Sequence, residues 1–169
     1  MIKNNRFSSM ILYGPPGSGK TSLANIISSS TDNYFVKISA VTSGTREIKE
    51  IIELAKDNLS MYNKRTILFI DEIHRFNKMQ QDFLLEYVEN GDIIFIGATT
   101  ENPAYEVNNA LLSRVIVFEL QALSFENLKD IIDNAILNDE FLKNKKISYT
   151  EDGISYLIKM SNGDARTAL

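Results

Sequence analysis

The 169 residues contain no cysteine, which removes both a disulfide framework and any thiolate metal site. A single histidine, His74, likewise excludes a histidine-rich metal cluster within the chain. No stretch approaches the roughly 18 consecutive apolar residues of a membrane span, and the N-terminus lacks the apolar core of a signal peptide. These absences lead to the expectation of a cytoplasmic chain with no membrane contact. Internal repeats and low-complexity tracts are missing too. Basic residues are outnumbered, 18 Lys and Arg against 22 Asp and Glu, for a formal net charge of −4. That balance argues against tight, non-specific nucleic-acid binding by this chain alone and leaves room for a local basic patch in an assembly.

What is present suits a globular chain. Apolar residues make up 44% of the sequence, enough to build the core of one domain, or of one domain and part of another. The chain is organised around Met10 to Thr21, which reads as a buried strand, a glycine-rich turn and the start of a helix. Gly14, Gly17 and Gly19 let the backbone fold tightly enough for several amide N–H groups to face one hollow, where the helix N-terminus adds positive potential. With Pro15, Pro16 and Ser18 they form a phosphate cradle, followed by Lys20, Thr21 and Ser22 in the first helical turn. Lys20 supplies a charge able to reach β- and γ-phosphates, and the Thr21 hydroxyl is suited to Mg²⁺. By average composition, this spacing arises by accident in roughly one chain in 150 of this length.

The remaining segments alternate. Residues Ile2 to Ser8 read as a loop or a cut end. The helix from Lys20 stops near the turn cluster Ser28 to Asn33, and Tyr34 to Ser39 is a β-prone run. Ser43-Gly44-Thr45 opens a helix with apolar positions Ile48, Ile51, Ile52, Ala55 and Leu59. Arg65 to Ile70 reads as a strand covered on both faces. A helix over Asn77 to Asn90, with Phe83, Leu84, Tyr87 and Val88 inward, stops at Gly91. Ile93 to Ile96 is another buried strand, ending at Gly97-Ala98-Thr99-Thr100, and Pro103 forbids its continuation. A short helical piece covers Asn108 to Ser113, and Val115 to Leu120 is a fifth strand. Strand and helix in alternation imply a parallel, doubly wound sheet with ligands at the carboxyl ends of its strands. After Leu120 the pattern is wholly helical: one helix from Ser124 with Leu128, Ile131, Ile132, Ala135 and Ile136 on one face, a second near Asp152 to Met160, and a third from about Asp164. The expected division is a nucleotide-binding core over 1–120 and the start of a helical lid over 121–169.

Asp71 and Glu72 follow an apolar strand, which brings two carboxylates to the phosphate edge. Asp71 is assigned to Mg²⁺, held directly or through water, and Glu72 to orienting and deprotonating the attacking water. Thr100 ends the next strand, where a hydroxyl can meet the γ-phosphate or the water, whereas Thr99 reads equally well as strand filling. Arg114 and Arg166 are either surface arginines or guanidinium groups for the charged transition state. His74, beside Arg75, reads as a packing or hydrogen-bonding residue rather than a ligand or base.

Five motifs together resemble an AAA+ ATPase: Gly14 to Thr21, Asp71 to Lys78, Gly97 to Pro103, Ala110 to Arg114 and Gly163 to Arg166. Within that superfamily they closely resemble the replication-associated recombination proteins, called RarA or MgsA in bacteria, whose eukaryotic counterparts interact with the Werner helicase. Thr99-Thr100-Glu101-Asn102-Pro103 and Leu111-Leu112-Ser113-Arg114 discriminate most, since branch-migration motors share the Asp-Glu-Ile-His box but not these. The resemblance implies a five-stranded parallel P-loop NTPase sheet in the order 5-1-4-3-2, flanked by helices and followed by a truncated all-α lid. It implies that Asp71 and Glu72 are the Walker B pair and Thr100 sensor 1. Arg114 is then a finger for a neighbouring subunit's ATP, and Arg166 the sensor 2 arginine for its own.

The same resemblance implies ATP and Mg²⁺ as cofactors, a homo-oligomer related to clamp loaders, and action at stalled forks or single-stranded DNA gaps with replication or repair proteins. A bacterial member would be nucleoid-associated. DNA contact would fall at Ser43-Gly44-Thr45-Arg46 and Lys49, whose other reading is a solvated helix face interleaved with Glu47 and Glu50. Family members also carry a segment before the first strand that helps enclose adenine, and a C-terminal oligomerisation domain. The expectation is therefore a fragment that binds nucleotide weakly and hydrolyses it poorly or not at all.

The alternatives within reach are a nucleotide-gated assembly or DNA-binding module with incidental hydrolysis, a branch-migration motor, or a clamp-loader subunit. A GTPase would need Asn-Lys-x-Asp, but Asn63-Lys64 and Asn77-Lys78 both lack the aspartate. A DExH helicase needs two αβ domains, and a small-molecule kinase leaves Ser113-Arg114 and the helical tail without a purpose.

Overall fold

The computed structural model describes residues 8–145 and 147–169. The loop expected over Ile2 to Ser8 therefore lies outside the described residues, apart from Ser8. Two compact units emerge: one made of the chain through Gly14 with Lys20–Glu119, the other of Pro15–Gly19 with Leu120–Leu169.

The first unit is a parallel sheet with helices. Its elements are β1 (Met10–Tyr13), α1 (Lys20–Ser29), β2 (Tyr34–Ser39), α2 (Thr45–Tyr62), β3 (Thr66–Asp71), a 3₁₀ turn at Ile73–Arg75, α3 (Lys78–Asn90), β4 (Ile94–Thr99), α4 (Pro103–Glu106), α5 (Asn109–Leu112) and β5 (Ile116–Glu119). The strand order is β2-β3-β4-β1-β5, the expected 5-1-4-3-2 read from the other edge. β3 and β4 are central, and Ile67, Leu68, Phe69, Ile70, Ile94, Phe95 and Ile96 are all buried, because a parallel sheet covered on both faces leaves no polar side for alternation. Ile11, Ile48, Ile52, Leu68, Ile70, Leu84 and Phe95 belong to one core cluster; each such side chain contributes about 1.5–3 kcal/mol by leaving water.

Two boundaries and the burial of one apolar position bear on the sequence expectation. β3 runs one residue later than Arg65 to Ile70, so Asp71 is still in the ladder, opposite Ser39, and Glu72 is the first residue beyond it. Pro103 opens α4 rather than merely ending β4; Asn102 caps it by accepting from the Ala104 amide, and proline suits a first helical turn because its missing N–H is not needed there. Leu59, one of the periodic apolar positions of α2, is 36% exposed. Tyr62, the last residue of α2, sets its ring 6.4 Å from that of Tyr34 at the start of β2.

The helix stops follow local chemistry. Gly91 ends α3 at φ +73°, and Asn63 ends α2 in the same left-handed region.

In the second unit, α6 (Phe125–Asn138), α7 (Glu151–Ser161) and α8 (Ala165–Ala168) close around Leu128, Ile132, Ile154, Ile158 and Ala168. A 3₁₀ turn at Lys143–Lys145 lies between α6 and α7. Each of the three helices has a side-chain N-cap: Ser124, Thr150 and Asp164 accept from the amides of Asn127, Gly153 and Arg166 respectively. Tyr149 donates to Asp133, which pushes the phenol up to about 12. No helix among the described residues is long and apolar enough to cross a membrane.

Candidate active site

Adjacent parallel strands deliver their last residues to one edge of the sheet. β3, β4 and β1 are neighbours, so Asp71, Thr99 and Tyr13 end side by side, each pair of strands about 4.8 Å apart. The Gly14 amide donates to the Thr99 carbonyl at 3.2 Å, which continues the β1–β4 ladder one step past the strand. Lys20, at the start of α1, returns to this edge: its Nζ donates to the Gly14 carbonyl at 2.7 Å, and the side chain is buried. Tyr13 lies opposite Glu119 on β5, and its hydrogen bond to that carboxylate raises the phenol above its ordinary value, with burial and the Glu119 charge adding to the effect.

The turn between β1 and α1 has the conformations its glycines permit. Gly17 and Gly19 have φ of +70° and +89°, a region that costs other L-residues roughly 1–2 kcal/mol. A Cβ at Gly17 would overlap the Asp164 carboxylate, whereas one at Gly19 meets nothing within 4 Å. The Ser18 hydroxyl is buried without a hydrogen-bond partner among the described residues. An orphaned hydroxyl in a left-handed glycine turn fits a phosphate group, which would satisfy it. Thr21 is half-buried and Ser22 exposed in the first turn of α1.

Glu72 stands at φ +56°, ψ +45°. For a glutamate this is strained backbone, and such strain persists where the surroundings over-determine it. Here the following 3₁₀ turn does so. Ile73 and Phe76 are buried at 0% and 3% exposure, and the Arg75 amide donates to the Glu72 carbonyl at 2.8 Å. Asp71 and Glu72 are both half-buried. Among the described residues no three His, Cys, Asp or Glu side chains gather as a metal cluster. The residues present that could hold a Mg²⁺ are Asp71 and Thr21, in keeping with an ion that commonly takes one or two protein oxygens together with phosphate oxygens.

His74 Nδ1 lies 2.9 Å from Thr99 Oγ1 and 3.3 Å from Glu72 Oε2. Thr99, treated in the sequence as possible strand filling, is fully buried, and its Oγ1 accepts from the Glu101 amide at 3.0 Å. Thr100 is half-buried one residue beyond β4.

The arginines are placed as follows. Arg114 follows α5, its Nε 3.0 Å from Glu89 Oε1 and its Nη1 donating to Ser113 Oγ. α5 is positioned by Gln81, a buried amide on α3 that donates to the carbonyls of Phe76 and Glu106 and accepts from the Asn108 amide. Asn108 in turn caps α5 through the Leu111 amide at 2.7 Å. Arg166 is exposed on α8, whose first turn Asp164 holds. Arg46 is paired with Glu50 at 3.1 Å on the exposed face of α2, and Lys49 is exposed beside it. The Arg46 charge is thus partly neutralised within its own helix.

Sequence reasoning missed the linkages of His74 to Thr99, Gln81 to Asn108, and Asp164 to Gly17. None of these contacts had a signal in the sequence, because each joins residues far apart along the chain.

Comparison with known proteins agrees with this geometry. Residues 10–121 match the model of the ATPase family associated with various cellular activities (AAA). ATPase WRNIP1 of Dictyostelium discoideum is 47% identical over 100% of this chain and 19% of its own length. Replication-associated recombination protein A of Escherichia coli K12 is 46% identical over 99% of this chain and 38% of its own length. Among solved structures, the Holliday junction branch migration motor RuvB of Thermotoga maritima superposes with a TM-score of 0.75 at 30% identity, covering 96% of this chain and 52% of that one. The chain thus spans well under half of the curated relatives it matches. With a family model over most of its length and the glycine turn, paired carboxylates and strand order already described, the chain belongs to the AAA family of ATPases.

Proposed function

We propose that this chain is the ATP-hydrolysing module of a replication-associated recombination or repair protein, working in the cytoplasm at stalled forks or DNA gaps. The observation that carries the reading is the shared carboxyl edge of β1, β3 and β4, to which Lys20, the Asp71-Glu72 pair and Thr100 all belong. Similarity to WRNIP1 and to replication-associated recombination protein A, higher in identity than that to RuvB, supports recombination and repair over branch migration.

In this reading the amides of Gly14 to Thr21 and the Lys20 ammonium hold the β- and γ-phosphates of ATP. Bound Mg²⁺ would neutralise charge on those oxygens. Thr21 and Asp71 would hold it. Glu72 accepts a proton from the water as its oxygen bonds to the γ-phosphorus and the bond to the β–γ bridging oxygen breaks, releasing ADP, and the Thr100 hydroxyl orients that water or the phosphate. Arg114 acts on the nucleotide of a neighbouring subunit in a homo-oligomer, while Arg166 acts on its own. Such a guanidinium contributes about 10³- to 10⁵-fold in rate. DNA, single-stranded or at a fork or gap, meets Arg46 and Lys49 at the start of α2 through its phosphates rather than its bases.

A single-turnover assay on the full-length gene product tests the reading. DNA-stimulated phosphate release supports it. ATP-dependent association without turnover would instead support a nucleotide-gated assembly module.

A further inference from the structure

One nitrogen of a mostly buried ring touches both the carboxylate proposed as the base and the strand that presents Thr100. His74 Nδ1 is 3.3 Å from Glu72 Oε2 and 2.9 Å from Thr99 Oγ1, and the imidazole is only 8% exposed. We propose that His74 is a positioning residue: its Nδ1–H holds the Glu72 carboxylate in register with the end of β4, so that Glu72 and Thr100 address the same water. The inference rests on the reading of Glu72 as the base.

The proton on Nδ1 follows from its neighbours. The Thr99 hydroxyl has one hydrogen and can accept two. It accepts from the Glu101 amide at 3.0 Å, and its own hydrogen is directed to the Glu101 carbonyl at 3.3 Å. Toward His74 it offers a lone pair, so the hydrogen between them belongs to Nδ1. An ionised Glu72 leads to the same assignment, because a carboxylate only accepts and would face a bare Nδ1 lone pair to lone pair. The Nδ1–H is therefore shared between Thr99 Oγ1, the nearer partner, and Glu72 Oε2, leaving Oε1 to take a proton from water.

The ring is well placed to act as a fixed stop. It sits in the 3₁₀ turn between buried Ile73 and Phe76, and Thr99 is locked at 0% exposure. Glu72, by contrast, is 36% exposed at its side chain and has three rotatable side-chain bonds, so without this contact its carboxylate is free to sample several orientations. Misplacing a reacting group by about 1 Å can cost on the order of 10²-fold in rate.

The experiment uses steady-state ATP turnover of the full-length gene product with two variants. His74→Phe keeps the ring volume and removes the donor; His74→Asn returns an N–H near the position of Nδ1. The expected result is a kcat about 10- to 100-fold lower for His74→Phe, with the KM for ATP and the melting temperature little changed, and recovery of most of the loss in His74→Asn. In a Glu72→Gln background, His74→Phe should lower the residual rate no further, since the group it positions has gone. Wild-type turnover in His74→Phe, equal losses in His74→Asn and His74→Phe, or an equal fold-loss in both backgrounds would each overturn the proposal. Glu72→Gln alone separates the two ideas: if it turns over normally, the base assignment is what failed; if it is inactive while His74→Phe is normal, only the positioning role has failed.

Discussion

The Lys20 ammonium donates to the Gly14 carbonyl across 2.7 Å, so the cation proposed to hold the phosphates is anchored to the last carbonyl before the glycine turn. That contact orders a long, rotamer-rich stem during folding, and a nucleotide need not bear the whole cost of ordering it. Replacing Lys20 removes both the charge and the anchor.

Lys20→Ala is accordingly expected to weaken ATP binding by about 10- to 100-fold, the equivalent of one charged hydrogen bond. Equilibrium titration with a fluorescent ATP analogue measures it; an unchanged Kd would place the phosphates elsewhere.

Gln81 joins the end of the turn after Glu72 to the start of the helix that precedes Arg114. Its amide, 3% exposed, serves the Phe76 and Glu106 carbonyls and the Asn108 amide. Gln81→Leu leaves these groups unsatisfied and should cost about 3 kcal/mol in chemical denaturation. Gln81→Glu should be at least as harmful, because its carboxylate would face two carbonyl oxygens. Wild-type stability for either variant would show that solvent replaces the amide at no cost.

The start of α6 carries a reciprocal cap between Ser124 and Asn127, and Ser124→Ala should destabilise the chain by about 1 kcal/mol. Glu126 adds a pH dependence. Its carboxyl is held below the ordinary value, first by its own backbone amide and then by the Ser124 hydroxyl. A depressed folded value means that the stabilisation is complete above the ordinary glutamate range and is lost as pH falls through the lowered value. Melting temperatures compared at neutral and strongly acidic pH should therefore fall more in wild type than in Glu126→Gln; equal falls would remove Glu126 from the acid response.

Legibility followed the range of the interactions. The glycine turn, Lys20 and the Asp71-Glu72 pair were readable because each depends on residues a few positions apart, and the helix starts at Asn77 and Ser124 are local in the same way. The strand order came from family likeness, since alternation alone sets parallel strands but not which are neighbours. His74 and Thr99 meet only because β3 lies beside β4, which made Thr99 look like ordinary strand filling. Gln81 was hidden for a related reason: a polar residue on an amphipathic helix reads as surface until a loop 25 residues away is found to need its amide.

The central claim is that Glu72 takes the proton from the attacking water at a site that binds ATP independently of it. ATP affinity and phosphate release, measured on the same preparation of Glu72→Gln in the full-length gene product, test it most directly. The account predicts an unchanged Kd with turnover reduced by about 10²- to 10⁴-fold, the range for loss of a general base. Turnover at the wild-type rate, with affinity intact, would contradict it.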